Sequence, residues 1–123
     1  MKTPHILIVD DEPNIVMSLE FLMRKNGYQV GIARNGTEAL AAIAQTPFDL
    51  VLLDVMMPDV DGYQVCQQLR QNPERAGTKV ILLSAKSRDA DTRKGYEVGA
   101  DLYIPKPFST RQLMEKVREL LST

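Results

Sequence analysis

The sequence predicts an α/β fold, a (βα)5 sandwich around a parallel central sheet, on three observations. Short apolar runs alternate strictly with helical patterns along the whole chain. The central runs lack polar alternation, as expected of strands covered on both faces. Four of them also end at residues suited to phosphate chemistry: Ile6 to Val9 at Asp10 and Asp11, Leu50 to Leu53 at Asp54, Val80 to Leu83 at Ser84, and Leu102 to Ile104 just before Lys106. In neighbouring parallel strands these carboxyl ends open into one crevice.

Ile6 to Asp10 has strand length, and Ile15, Leu19, Leu22 and Met23 follow at helical spacing. Pro13 suits the first turn of that helix and Gly27 its stop. Tyr28 to Ala33 reads as the second strand. Asn35-Gly36 is a hairpin signal, but Ala39, Leu40 and Ile43 continue with helical spacing after Thr37, so a helix start is preferred. Leu50 to Asp54 is the third strand; Pro58 and Gly62 punctuate the loop after it, and Val65, Cys66 and Leu69 form the inner face of the next helix. Val80 to Ser84 is the fourth strand. Ser87 to Val98 carries six charges and few apolar anchors, and Gly95 costs a helix interior about 1 kcal/mol relative to alanine, so this is the most loosely held helix. Gly99 supplies its left-handed stop. Leu102 to Ile104 is a short fifth strand, and Leu113, Val117, Leu120 and Leu121 are the stripe of the last helix.

At 123 residues the chain is read as one domain, 1–123, with room for a single core. Its 44% hydrophobic and 25% charged residues suit a soluble globular protein. A net charge of -1 lacks the basic footprint of direct nucleic-acid binding, so proteins and small ions are the expected partners. The first apolar run is too short for a signal peptide and no run approaches a membrane span, which gives a cytoplasmic expectation. Cys66, the one cysteine, has no partner for an internal disulfide and no Cys or His at metal spacing; it reads as a reduced, semi-buried helix residue.

Asp10, Asp11 and Asp54, brought within about 5 Å, repel by roughly 3 kcal/mol per pair at an effective dielectric near 20, so such a site demands a cation. Oxygen ligands without His or Cys favour Mg²⁺. Asp54 is the candidate nucleophile, with Lys106 and Ser84 supplying a charge and a hydroxyl to the oxygens of a transferring phosphoryl group. Each residue has an ordinary reading on its own: Asp10 to Glu12 as a helix cap, Asp54 as a strand end, Lys106 as a solvated lysine. The coincidence of all of them at strand ends argues for the site.

ILIVDDE, LVLLDVMMPDVDG, VILLSA and GADLYIPKPF, in this order and spacing, resemble the receiver domain of two-component response regulators over essentially the whole chain, with likeness to the chemotaxis-type single-domain receivers. The resemblance implies a flavodoxin-like sheet of order 2-1-3-4-5 and Asp54 as phosphoacceptor for a histidine kinase or phosphotransfer domain. It implies Mg²⁺ (or Mn²⁺) held by Asp11, Asp54 and the main-chain carbonyl of Met56, with Asp10 acting through water. Lys106 then pairs with the phosphoryl group, its bond to Pro107 is cis, and Ser84 and Tyr103 form the switch pair. His5, at the far end of the first strand, is not a phosphodonor. The module is a phosphoacceptor that assists its own phosphotransfer and dephosphorylation rather than a free-standing enzyme, and it signals to a downstream effector or fused output domain.

Three other classes fit less well. An aspartate-nucleophile phosphatase needs a second Asp two positions after the first, where this chain has Met56. A flavin or nucleotide carrier needs a phosphate-binding loop after the first strand, and Asp10-Asp11-Glu12 repels phosphate. A receiver used only as an unphosphorylated interaction module would not need the complete acceptor, metal, hydroxyl and lysine set. Within the receiver reading, Met56 and Lys86 flank the path of the hydrolytic water and neither orients it, so a long-lived phosphoryl group is expected. The face made by residues 87–98, the fifth strand and the last helix is the expected partner surface. Transcription-factor receivers of similar sequence pair there through charges, an acid after Gly-Ala-Asp and a Glu and an Arg on the last helix; at these positions this chain has Leu102, Gln112 and Lys116 and keeps only the basic member, so a monomer is expected when unphosphorylated and no strong dimer of that type on activation, with Leu102 expected to be exposed for a different partner.

Overall fold

The computed structural model describes residues 3–122. Strands and helices alternate as β1 (His5–Val9), α1 (Pro13–Lys25), β2 (Gln29–Ala33), α2 (Gly36–Gln45), β3 (Leu50–Asp54), α3 (Gly62–Gln71), β4 (Lys79–Ser84), α4 (Asp89–Glu97), β5 (Leu102–Pro105) and α5 (Thr110–Leu121). All five strands are parallel, in the order β2-β1-β3-β4-β5. Class and strand order are those the sequence predicts, with small boundary shifts: Asp10 and Tyr28 lie just outside their strands, α2 begins at Gly36, and α4 is shorter at both ends than 87–98.

Pleating splits the core in two. Leu7, Val9, Val51, Leu53 and Leu82 point to one face and pack with Ala39 and Ile43 of α2 and Val65, Cys66 and Leu69 of α3. Ile6, Ile8, Leu50, Leu52, Ile81 and Leu83 point to the other and pack with Leu19 and Met23 of α1 and Leu113 and Val117 of α5. Each such buried aliphatic side chain contributes about 1.5–3 kcal/mol, which fixes the register, because a one-residue slip would exchange the two sets.

Helix ends follow local chemistry. Pro13 sits in the first turn of α1, and Asn35, Asp61 and Ser109 cap α2, α3 and α5, with Gln64 completing a capping box at α3. Gly27 and Gly99 take φ of 89° and 105°, the left-handed stops expected from the sequence. Arg75 caps the far end of α2 through the Ile43 carbonyl at 2.8 Å. Cys66 is fully buried, more deeply than the semi-buried position expected, because it faces β4 and the Val98 carbonyl beneath α4. Leu102 is half-buried against the α1/α5 core rather than exposed, since odd and even residues of β5 both find a covered face.

Among the described residues, no helix is long and apolar enough to cross a membrane.

Candidate functional site

The strand order reverses between β1 and β3, so the crevice beyond their carboxyl ends is where loops from both halves of the sheet meet. Register puts Val9 beside Leu53 and Asp54 beside Leu83, so Asp10, Asp54 and Ser84 emerge from adjacent strands at nearly one level. Asp10, Asp11 and Asp54 each turn a carboxylate oxygen inward, and these oxygens lie within 4.8 Å of one another. Asp10 and Asp54 are buried and Asp11 is exposed at the mouth.

Lys106, directly after β5, closes the cluster. Its ammonium donates to Asp10 Oδ2 at 2.9 Å and stands 3.5 Å from Asp54 Oδ1 and 3.9 Å from Glu12 Oε1. The Lys106-Pro107 peptide is cis, as the resemblance implied. Burial works against the charge on Lys106, but the Asp10 bond and the surrounding carboxylates outweigh it and raise its pKa. Asp54 is pushed up to about 6, chiefly by burial and then by Asp10, against the pull of Lys106 and of the Met56 N–H. One ammonium among four acids leaves an excess of negative charge. A hard, oxygen-seeking divalent cation suits that donor set, and the three converging carboxylates fit it.

Ser84 is fully buried, and its hydroxyl accepts the N–H of Lys86 at 3.0 Å. Tyr103 lies inward, 7% exposed, and donates its hydroxyl to the carbonyl of the same Lys86 at 2.7 Å. The two residues expected to form a switch therefore grip opposite ends of one residue in the loop after β4. Met56 enters through its backbone, its N–H reaching Asp54 Oδ1 at 3.4 Å, while its side chain is 53% exposed beside Lys86 at the rim. His5 is remote, its ring packed on Phe48 at the opposite end of the sheet.

Several residues around the site have a role there that the sequence alone did not assign. Asp59 ties the loop after β3 to α2, accepting from the Gly36 and Thr37 N–H groups at 3.1 and 2.9 Å and from the Thr37 hydroxyl at 2.6 Å. Led by that hydroxyl, these donors hold its carboxyl well below the usual range. Tyr63 is buried at the start of α3 and donates to the Asp91 carbonyl of α4 at 3.0 Å. Gly95 is the only buried residue of α4, and a Cβ there would come within 2.7 Å of the Tyr103 ring. An aromatic directly after the Asp61-Gly62 cap is the one signal that could have singled out Tyr63.

A family model described as "Response regulator receiver domain" matches residues 6–118. The Bacillus subtilis transcriptional regulatory protein ResD is 43% identical over 116 residues, which are 94% of this chain and 47% of ResD. The chain spans about half the length of the curated relatives it matches. A CheY-like response regulator receiver domain protein from Methanospirillum hungatei superimposes with a TM-score of 0.92 at 34% identity, covering 98% of this chain and 95% of that one. A beryllofluoride-activated DrrB receiver domain does so at 0.91 and 34%, covering 99% and 100%. With acids at the ends of β1 and β3 and an inward lysine after β5, the fold and these matches agree: the chain belongs to the response regulator receiver domain family.

Proposed function

We propose that this chain accepts a phosphoryl group on Asp54 from a phosphohistidine of a kinase or phosphotransfer domain. The convergence of Asp10, Asp11 and Asp54 with Lys106 carries this reading, because it pairs a nucleophile with the charges that phosphoryl transfer needs. A carboxylate oxygen of Asp54 forms the new P–O bond as the P–N bond to the donor imidazole breaks, and the leaving nitrogen is protonated from solvent. Lys106 neutralises the arriving phosphoryl oxygens, and the Ser84 hydroxyl donates to one of them while still accepting from Lys86. Hydrolysis by water returns Asp54 and releases inorganic phosphate. Mg²⁺, or Mn²⁺, would be held by Asp11, Asp54 and the Met56 carbonyl with Asp10 behind a water; when bound it supplies electrophilic charge to the phosphoryl group.

An apolar groove lined by Ile15, Leu19, Pro107 and Phe108 opens beside Lys106, a surface on which the donor domain can rest. The chain acts in the cytoplasm as a phosphoacceptor module with catalytic assistance to its own turnover, not as a free-standing enzyme. It passes the event through Ser84 and Tyr103 to the face formed by α4, β5 and α5, and from there to an effector protein or a fused output domain. It makes no direct contact with nucleic acid.

Incubation with acetyl phosphate and Mg²⁺, resolved by intact mass, tests the reading. One adduct is expected, lost in Asp54→Asn, in Asp11→Ala and with excess chelator. An adduct that survives Asp54→Asn would overturn the assignment, and no adduct in the wild type would leave only an interaction module.

A further inference from the structure

Tyr63 stands where two anchored parts of the molecule meet. On one side, Gly62 donates its N–H to the Val55 carbonyl at 2.9 Å, and a side chain on Gly62 would collide with the Asp54 carbonyl, so the first turn of α3 is seated on the acceptor strand. On the other side, Tyr63 reaches α4 at two successive positions of one face. Its hydroxyl donates to the Asp91 carbonyl at 3.0 Å, and the Lys94 ammonium lies 4.6 Å from its ring centroid.

α4 has little else to hold it. Its N-cap, Arg88, makes no side-chain capping bond, and Gly95 is its only buried residue. Further ties run to Tyr103, whose N–H donates to the Tyr96 hydroxyl at 3.3 Å and whose ring, with Leu82, lies against Gly95. The Tyr103 and Tyr63 hydroxyls neighbour each other. The inward Tyr103 ring and the Tyr63 bond thus belong to one arrangement of α4.

We infer that Tyr63 is a positioning residue of the switch: by fastening α4 to the turn seated on Asp54 it stabilises the inward arrangement of Tyr103 and sets how strongly a phosphoryl group on Asp54 is favoured. The inference rests on the phosphoacceptor reading above. Whatever raises the population of the arrangement that favours the phosphoryl group raises affinity for its mimic in proportion to that population.

Tyr63→Phe keeps the ring and removes only the hydroxyl. Without any phosphoryl mimic, amide exchange across residues 89–97 should accelerate about fivefold, the consequence of one net hydrogen bond lost, with β1 and β3 unchanged. In calorimetric titration with beryllofluoride and Mg²⁺, affinity should fall, by at most about fivefold. Wild-type exchange and wild-type affinity in Tyr63→Phe would overturn the inference, as would an affinity loss matched by Tyr28→Phe, a change remote from α4. The phosphoacceptor reading fails separately, if Asp54→Asn binds beryllofluoride as well as the wild type does; the exchange comparison still decides the hold of Tyr63 on α4.

Discussion

Asp54 combines a nucleophile's position with an environment hostile to its charge. In an unfolded chain an aspartate titrates near 3.9, and here burial and Asp10 move that to about 6. A raised folded-state value means that stability is fully present below about 4 and is lost as pH rises through about 6. In chelator, melting temperature should therefore decline across that window, and Asp54→Asn should flatten the decline and stabilise the protein at neutral pH by about 1–3 kcal/mol. Denaturant melts at pH 4 and 7 check this; equal pH dependence in wild type and variant would contradict it. Met56 and Lys86 line the rim, and neither side chain is an acid or amide able to hold an attacking water, so the aspartyl-phosphate should last on the order of minutes or longer, and Met56→Asn should shorten it. Decay followed by mass after donor removal gives the answer, and an unaltered lifetime in Met56→Asn would exclude that position from rate control.

Among the elements, α4 is where packing and propensity disagree. Gly95→Ala should strengthen the isolated helix by about 1 kcal/mol. The added methyl, though, would stand 2.7 Å from Tyr103 Cδ2 and 3.1 Å from Leu82 Cδ1, forcing the ring or the helix outward. The expected outcome is a folded protein of similar melting temperature whose α4 exchange no longer responds to beryllofluoride; a full response would show that α4 slides to make room. The sequence showed Gly95 only as a helix defect, because its neighbour Tyr103 is eight residues away on another element. The strands were legible because burial on both faces leaves an unbroken apolar signature, and the acids were legible because they end those runs. Asp59 was not: a loop acid looks the same whether solvated or bonded to a neighbouring helix. Its lowered pKa means that its contribution is present above about 4 and lost as pH falls. Protection of the first-turn amides of α2 should therefore fail in acid before that of α1, and Asp59→Ala should reproduce the loss at neutral pH.

At the scale of the whole molecule, charge placement argues for a monomer. Asp101 is spent internally: its Oδ2 accepts from Val80 N–H at 2.7 Å and from Arg70 at 2.8 Å, and Arg70 also donates to the Gly99, Ala76 and Thr78 carbonyls. Leu102 is half-covered, and Lys116 faces Glu119 of its own helix at 3.5 Å. At 102 and 112 the α4–β5–α5 face thus offers a second copy no acid to match Lys116. Sedimentation with and without beryllofluoride should show a monomer throughout, unaffected by Lys116→Glu. A tight dimer abolished by that change would overturn the argument. Arg70→Ala should lower stability by about 2 kcal/mol, since four partners lose their donor at once.

Cys66, the chain's one thiol, is closed off beneath α4, and burial pushes it up to about 11. At neutral pH the thiol stays protonated, and its burial keeps it out of a reagent's reach. A maleimide or disulfide probe will therefore ignore the native protein. A single exposed cysteine placed by Glu97→Cys can then carry a fluorophore or spin label alone, so displacement of α4 can be followed in real time without first building a cysteine-free background.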